Sequence, residues 1–256
     1  MKNFIQRFLF LVVIYFQFVP FSIQASSFFE TLFKEGQKAY TEGDFKKALS
    51  NFKKIEKGGF KSSEMDYNMG NCYFKLGKLG RAILFYERAL RSSRRDQEIR
   101  LNLEFAHNLL QDKMAPSPHM FLLQPFEWIA KRLSLWELVL INVIFGWFIL
   151  MNLSFIFLIP KVRSKLWMTA GVLALFQVIF LTSWYIVRRD EVMHPKGIIL
   201  IKEVQVLSGP GKSFPVSSKI HEGLKVMIEA QQGEWSKIEL PNGWIGWVKS
   251  KSYGRI

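Results

Sequence analysis

Four histidines, His107, His119, His194 and His221, and one cysteine, Cys72, have the widest chemical repertoire in this 256-residue chain. Their placement excludes most of it. The histidines are scattered and Cys72 is alone, so neither a metal-ligand spacing nor an intramolecular disulfide can be drawn. Cys72 sits inside a helical pattern, where a small core residue is the expectation. His107 and His221 lack a Ser, Cys or acid partner at a recognisable spacing, and His221-Glu222-Gly223 reads as a turn before a strand. No nucleophile elbow and no Gly-rich phosphate loop occurs. The sequence therefore predicts no enzyme, no cofactor and no metal. What remains is hydrogen-bonding and aromatic chemistry. Asn68 and Asn102 stand 34 residues apart, each among aromatic residues and further amides: Tyr67, Asn71 and Phe74, then Leu101, Phe105 and Asn108.

The elements that would position these side chains repeat. Gly36 aligns with Gly70, Gly43 with Gly77, Ala48 with Ala82, Phe52 with Tyr86 and Ile55 with Ala89, all at a period of 34. Small residues suit a close helix crossing, large aromatics fill the space beside it, and Gly43 and Gly77 supply turns. This is the tetratricopeptide pattern. It predicts helices over 28–41, 44–57, 63–75 and 78–91, in repeats of about 29–62 and 63–96. A capping helix over 96–111 opens on an Asp N-cap. By resemblance to tetratricopeptide proteins, the first helices build a concave face that binds peptides or protein surfaces. That face would carry Phe33, Gln37 and Tyr40, then Tyr67, Asn68, Asn71 and Phe74, then Leu101, Asn102, Phe105 and Asn108. The alternative is that these aromatics pack only against each other. Phe33 and Glu98 occupy the Lys positions of the carboxylate clamp found in chaperone-binding versions, which argues against an acidic carboxy terminus as ligand on that face.

Two apolar stretches, Trp136–Ile159 and Leu166–Val187, are each long enough to cross roughly 30 Å of hydrocarbon. Pro160–Lys165 leaves room only for a tight turn, so the expectation is a transmembrane hairpin with both flanking parts on one side. Gly146 and Gly171 would allow close helix approach, and Asn142, Asn152, Gln177, Thr182 and Ser183 would hydrogen-bond between the helices. No ionisable group sits at mid-membrane, which argues against an ion pathway. Residues 1–25 read as an export signal: Lys2 and Arg7, the apolar run Phe8–Phe18, and a cleavage site after Ala25, with an uncleaved anchor as the rival. Either places residues 26–113 outside and Lys161, Arg163 and Lys165 in the cytoplasm, as the positive-inside tendency requires. Residues 114–135, with Phe121, Phe126, Trp128, Lys131 and Arg132, read as a linker and interfacial segment on the bilayer. The chain holds 35 Lys+Arg against 21 Asp+Glu. The excess is spread over the repeats and the membrane flanks, which fits a phospholipid surface and not nucleic acid.

Residues 196–256 change character: Val, Ile and Trp alternate with polar residues between Gly, Pro and Asn turns. Strands are predicted over Ile198–Leu207, Leu224–Gln231, Trp235–Leu240 and Trp244–Val248, with a short end at Tyr253. Val206-Leu-Ser-Gly-Pro210, His221-Glu-Gly223, Gly233-Glu-Trp235 and Asn242-Gly-Trp-Ile-Gly-Trp-Val248 resemble a bacterial SH3 domain. Trp235, Trp247 and Val248 are expected to pack its core, and Trp244 is the candidate for an exposed contact. Such domains bind cell-wall peptides in some proteins and other proteins elsewhere, and the residues do not choose.

The fold class is thus a multidomain membrane protein: an all-α tetratricopeptide solenoid, a two-helix transmembrane hairpin and a small all-β SH3-like barrel. As a whole the chain resembles the repeat-and-SH3 (BatE-type) members of the Bat aerotolerance operon family. The resemblance implies a scaffold of the bacterial cytoplasmic (inner) membrane with both soluble domains periplasmic. Its implied partners are other Bat components and, indirectly, a MoxR-type ATPase, in a role in aerotolerance or oxidative stress. The second reading is a cell-wall anchor that binds peptidoglycan and recruits a wall enzyme through its repeats.

Overall fold

The structure, a computed structural model, describes residues 23–114, 126, 128–129, 132–189 and 195–256. The expected export signal lies outside these residues except for 23–25, which begin the first helix. Most of the expected interfacial segment also lies outside them. The chain falls into two compact units that divide after Phe60.

The first unit is the helical pair α1 (Ile23–Thr41) and α2 (Phe45–Lys57). Gly43, at φ +82, makes the turn that a side chain would strain. Asp44, expected as the first helical residue, is instead the N-cap of α2 and accepts from the Lys47 amide at 3.0 Å. A Cβ on Gly36 would lie 2.6 Å from the Phe52 ring. The small residue thus makes room for the large one within the same repeat.

The second unit repeats this logic. Helices α3 (Ser63–Lys75) and α4 (Leu79–Ser92) pair, and α5 (Gln97–Asn108) packs on α4. Ser62 and Asp96 cap α3 and α5. Gly77 at φ +68 repeats the Gly43 turn, and Gly70 faces Tyr86 as Gly36 faces Phe52. Cys72 is a core residue, as its setting in the sequence suggested, and burial pushes its thiol up to about 12.

Helices α6 (Leu135–Leu158) and α7 (Arg163–Arg188) form an antiparallel hairpin through the short turn Pro160–Val162. Both are long and apolar enough to cross a membrane. Ser134 and Glu137 close a capping box at the start of α6. Phe145 lies between Phe176 and Phe180, Gln177 donates to Asn142 at 3.0 Å, and Asn152 donates to Thr169 at 2.7 Å. Two expectations are corrected. Gly146 and Gly171 meet nothing within 4 Å of an added Cβ, so they face away from the seam, which aromatic rings fill instead. Ser183 bonds its own helix, at the Ile179 carbonyl.

The remaining residues form a seven-stranded antiparallel sheet in the order β3-β2-β6-β5-β4-β1-β7. Its strands are β1 (Lys196–Ile199), β2 (Glu203–Leu207), β3 (Val216–His221), β4 (Lys225–Gln232), β5 (Trp235–Glu239), β6 (Ile245–Lys249) and β7 (Tyr253–Arg255). They enclose one core, including Ile199, Val206, Ile220, Val226, Ile238 and Val248, as an SH3-like all-β domain does. The expected single strand Ile198–Leu207 is two strands, since the chain turns at Leu200–Lys202, and β3 had no sequence signal strong enough to predict it. Gly246, expected at a turn, lies within β6, where a Cβ would collide with Val206. Trp235 and Trp247 are half-buried flanks of the core, and Val248 is fully buried within it.

The Gly70–Tyr86 contact gives a direct test. Ala is favoured over Gly in a helix by about 1 kcal/mol. The new Cβ of Gly70→Ala would stand 2.6 Å from a ring that is buried and hydrogen-bonded to Asn71. Overpacking of that kind costs about 1–3 kcal/mol. Thermal unfolding followed by circular dichroism should show Gly70→Ala less stable than wild type, whereas Gly146→Ala should be neutral or slightly stabilising.

Candidate functional site

The amide and aromatic residues of α3 and α5 come together in one network. The Asn102 amide donates to the Tyr67 hydroxyl and, at 3.5 Å, to Asn71 Oδ1. Tyr86 also donates to Asn71 Oδ1, at 2.7 Å, and Tyr67 donates to Glu98 at 2.6 Å. Beside the network Phe74 and Phe105 meet with ring centres 5.7 Å apart. Asn68 is half-buried, while Leu101, Phe105, Asn108 and Leu109 are exposed. The sequence missed Tyr86 and Glu98 as members. Both are explained by position, because Tyr86 reaches across from α4 and Glu98 sits in the first turn of α5. The arrangement offers an exposed apolar edge, Leu101, Phe105 and Leu109, next to amides whose orientation is already fixed. In the first unit Phe33 leans on Phe52, Tyr40 leans on Phe45 and Gln37 is exposed.

Trp244 is exposed at the β5–β6 turn. Its backbone amide donates to Asn242 Oδ1 at 3.1 Å and its carbonyl accepts from Leu240 at 2.8 Å. The indole is therefore presented on an ordered turn.

A second surface was not legible in the sequence: the SH3-like domain docks on α4. Asp44 caps α2, but one period later the residue is Lys78, which makes no side-chain cap bond. The cap comes from the sheet domain instead, where Glu222 Oε2 accepts from the Gly80 amide at 3.1 Å. That amide is in the first turn of α4 and has no helical partner of its own. Gly80 permits this approach, since a Cβ there would meet the Ile199 carbonyl at 2.5 Å. Further along the same face, Glu87 takes Lys225 in a two-oxygen pair at 2.7 and 2.8 Å. Arg88 and Arg91 donate to the main-chain oxygens of Arg255 and Ile256. Leu84 packs under Gly254, and Ile83 and Leu110 pack under Gly223. Beyond α5, Asp112 accepts from the His221 amide and lies 2.9 Å from its Nδ1. The acid partner that spacing did not reveal for His221 is thus 109 residues away, and the motif His221-Glu222-Gly223 is a docking turn.

His107 sits near this interface, and burial lowers its pKa, with Glu87 opposing and Lys225 adding to the effect. The fold favours the neutral imidazole. This contribution to stability is present above the ordinary imidazole value and is lost as pH falls below it. Among the described residues no group of three or more His, Cys, Asp or Glu is placed to hold a metal ion.

The helical pair beneath the docked sheet has a recognisable relative. Residues 67–94 match the tetratricopeptide repeat family model. YrvJ of Bacillus subtilis (strain 168), named an N-acetylmuramoyl-L-alanine amidase, is 34% identical over 55 residues. The shared stretch is 22% of this chain and 11% of that protein, so the chain spans only a small part of that relative.

The borrowed cap predicts a separable pair of effects. Loss of a helix cap costs about 0.5–2 kcal/mol. Glu222→Ala should speed hydrogen exchange at the first amides of α4 and in β1 together. Adding Lys78→Asp should restore protection at the start of α4 but not in β1.

Proposed function

We propose that this chain is a non-enzymatic scaffold of the bacterial cytoplasmic membrane that binds partner proteins through its tetratricopeptide repeats and its SH3-like domain. The observation that carries the reading is the tetratricopeptide match at 67–94, together with the exposed apolar edge of α5 beside fixed amides. Peptide and helix ligands use such surfaces, with apolar anchors for affinity and amides for register. Tyr67, Asn68, Asn71, Phe74, Leu101, Asn102, Phe105 and Asn108 belong to the proposed surface, Phe33, Gln37 and Tyr40 are proposed contacts of the first unit by itself, and Trp244 is a separate contact on the sheet domain. The docking of the sheet domain on α4 supports a common compartment for both, which the paired helices α6 and α7 permit as a two-span hairpin. The export pattern at 1–25 and the basic turn between the helices favour the periplasmic side. The partners proposed are Bat-type components coupled to a MoxR-type ATPase, in a role in aerotolerance.

A second reading, a wall anchor binding peptidoglycan, is favoured by the partial similarity to YrvJ, whose name is that of a cell-wall amidase.

The test is capture of partners from membranes solubilised in mild detergent, identified by mass spectrometry. Asn68→Ala with Phe105→Ala should weaken capture about tenfold while leaving stability within about 0.5 kcal/mol. Lys46→Ala with Lys53→Ala should leave capture intact. Equal loss in both pairs would make the binding electrostatic and remove the groove assignment. Sedimentation with purified peptidoglycan, unaffected by the Asn68 and Phe105 changes, would favour the wall anchor.

A further inference from the structure

The sheet domain carries an open groove of about 500 Å³ away from the residues that dock on α4. Its walls include Ile201, Phe214, Val216 and Trp235, of which the first three are exposed apolar side chains. Phe214 is held in place. Its ring lies against Gly209 and Gly211, where an added Cβ on Gly209 would collide with it, so the glycines form its seat. The loop that bears it is closed by backbone bonds, from Ser208 to Pro215 at 3.1 Å and from Phe214 to Gly211 at 3.3 Å. The groove is therefore built on ordered backbone.

Its charge is one-sided. Lys212 and Lys249 line it, and the Lys249 ammonium stands 6.0 Å from the centre of the Trp235 ring. The single acid among the lining residues described, Glu203, is paired with Lys219 at 2.8 Å, which holds its carboxyl below the usual carboxylate range. A trough of mixed lining, with an apolar wall at Ile201, Phe214, Val216 and Trp235, two lysines, and an acid already paired with Lys219, is complementary to a ligand that joins apolar side chains to carboxylates. Two lysines are too few for the continuous basic track that nucleic acid requires.

We propose that this groove binds a short acidic and apolar segment of a protein partner, with an apolar side chain beside Phe214 and Trp235 and carboxylates at Lys212 and Lys249. The proposal rests on the scaffold reading but uses a surface separate from α3 and α5. It adds a second contact on the same chain, and two linked weak contacts hold a partner more tightly than either alone.

The test uses the full chain in detergent micelles and a fluorescein-labelled hexapeptide of alternating leucine and glutamate, read by anisotropy. Saturable binding is expected, weakened about tenfold in Lys212→Gln with Lys249→Gln and about tenfold when glutamine replaces glutamate in the peptide. Higher salt should weaken the wild type and not the lysine variant. Phe214→Ala should weaken binding while keeping the salt dependence. Unchanged tryptophan fluorescence and circular dichroism would show that these surface variants fold. Equal binding of both peptides, or of wild type and the lysine variant, overturns the proposal. So does preferential binding of a soluble peptidoglycan stem peptide that is lost in the lysine variant, which would assign the groove to the wall. Absence of peptide binding with partner capture through α3 and α5 intact overturns this inference alone. Loss of capture specificity at α3 and α5 overturns the scaffold reading by itself.

Discussion

The amino terminus of α4 is the point on which the second unit depends. A helix leaves its first amides without partners, and the N-cap of α4 is Lys78, which makes no side-chain cap bond. Glu222 supplies an acceptor from the sheet domain, and Gly80 lets the strand backbone come close enough to deliver it. The rest of the contact follows along one stripe of α4, through Leu84, Glu87, Arg88 and Arg91. The other face of α4, with Ala82, Phe85, Tyr86 and Ala89, is buried in the helical repeat. One helix is therefore shared by two domains. The ion pair of Glu87 with Lys225 is nearly buried on the acid side, at 11% side-chain exposure. Breaking the pair would leave the shielded Glu87 carboxylate without its cation, so the pair favours this docking geometry over slipped alternatives.

This sharing constrains the two long apolar helices as well. Residues 79–112 and 196–256 touch, and two long apolar helices separate them in sequence. Arg95 donates to Glu137 at 3.1 Å and to the Arg132 carbonyl, so the loop after α4 rests on the first turn of α6. The helical repeat, the hairpin end and the sheet domain thus meet around α4 and its following loop. With the sheet domain on one face of α4, the exposed edge left to the repeat is that of α5, and the groove between Phe214 and Trp235 is left to the sheet domain.

Local signals made much of this legible. Gly43, Gly77 and the cap at Asp96 are written within one or two turns of the residues they serve, and Gly36 with Phe52 and Gly70 with Tyr86 recur one period apart. The period and the apolar runs therefore located the helices closely. The sheet was harder. The turn at Leu200–Lys202 carries no Gly or Pro, so two strands read as one, and Val216–His221 shows little alternation. The docking could not be read, because its partners are far apart in sequence: Gly80 with Glu222, Glu87 with Lys225, Asp112 with His221. One clue was present. Lys78 stands where the period puts Asp44, so the first amides of α4 are left open to an acceptor from elsewhere or to water. On α3 and α5 the residue types were read as ligand contacts, and the structure shows Asn71 and Asn102 already bonded to Tyr86 and Tyr67.

The shared helix is tested most directly by a cysteine pair, Leu84→Cys with Gly254→Cys, in a Cys72→Ser background. An added Cβ on Gly254 would contact the end of the Leu84 side chain, which puts the two positions within the span of a short bismaleimide cross-linker. Treatment of intact cells with a membrane-permeant bismaleimide followed by denaturing electrophoresis should give a fast-migrating, internally cross-linked monomer that neither single cysteine variant gives. A protein that stays unlinked, or links only between molecules, would contradict the docking of the sheet domain on α4.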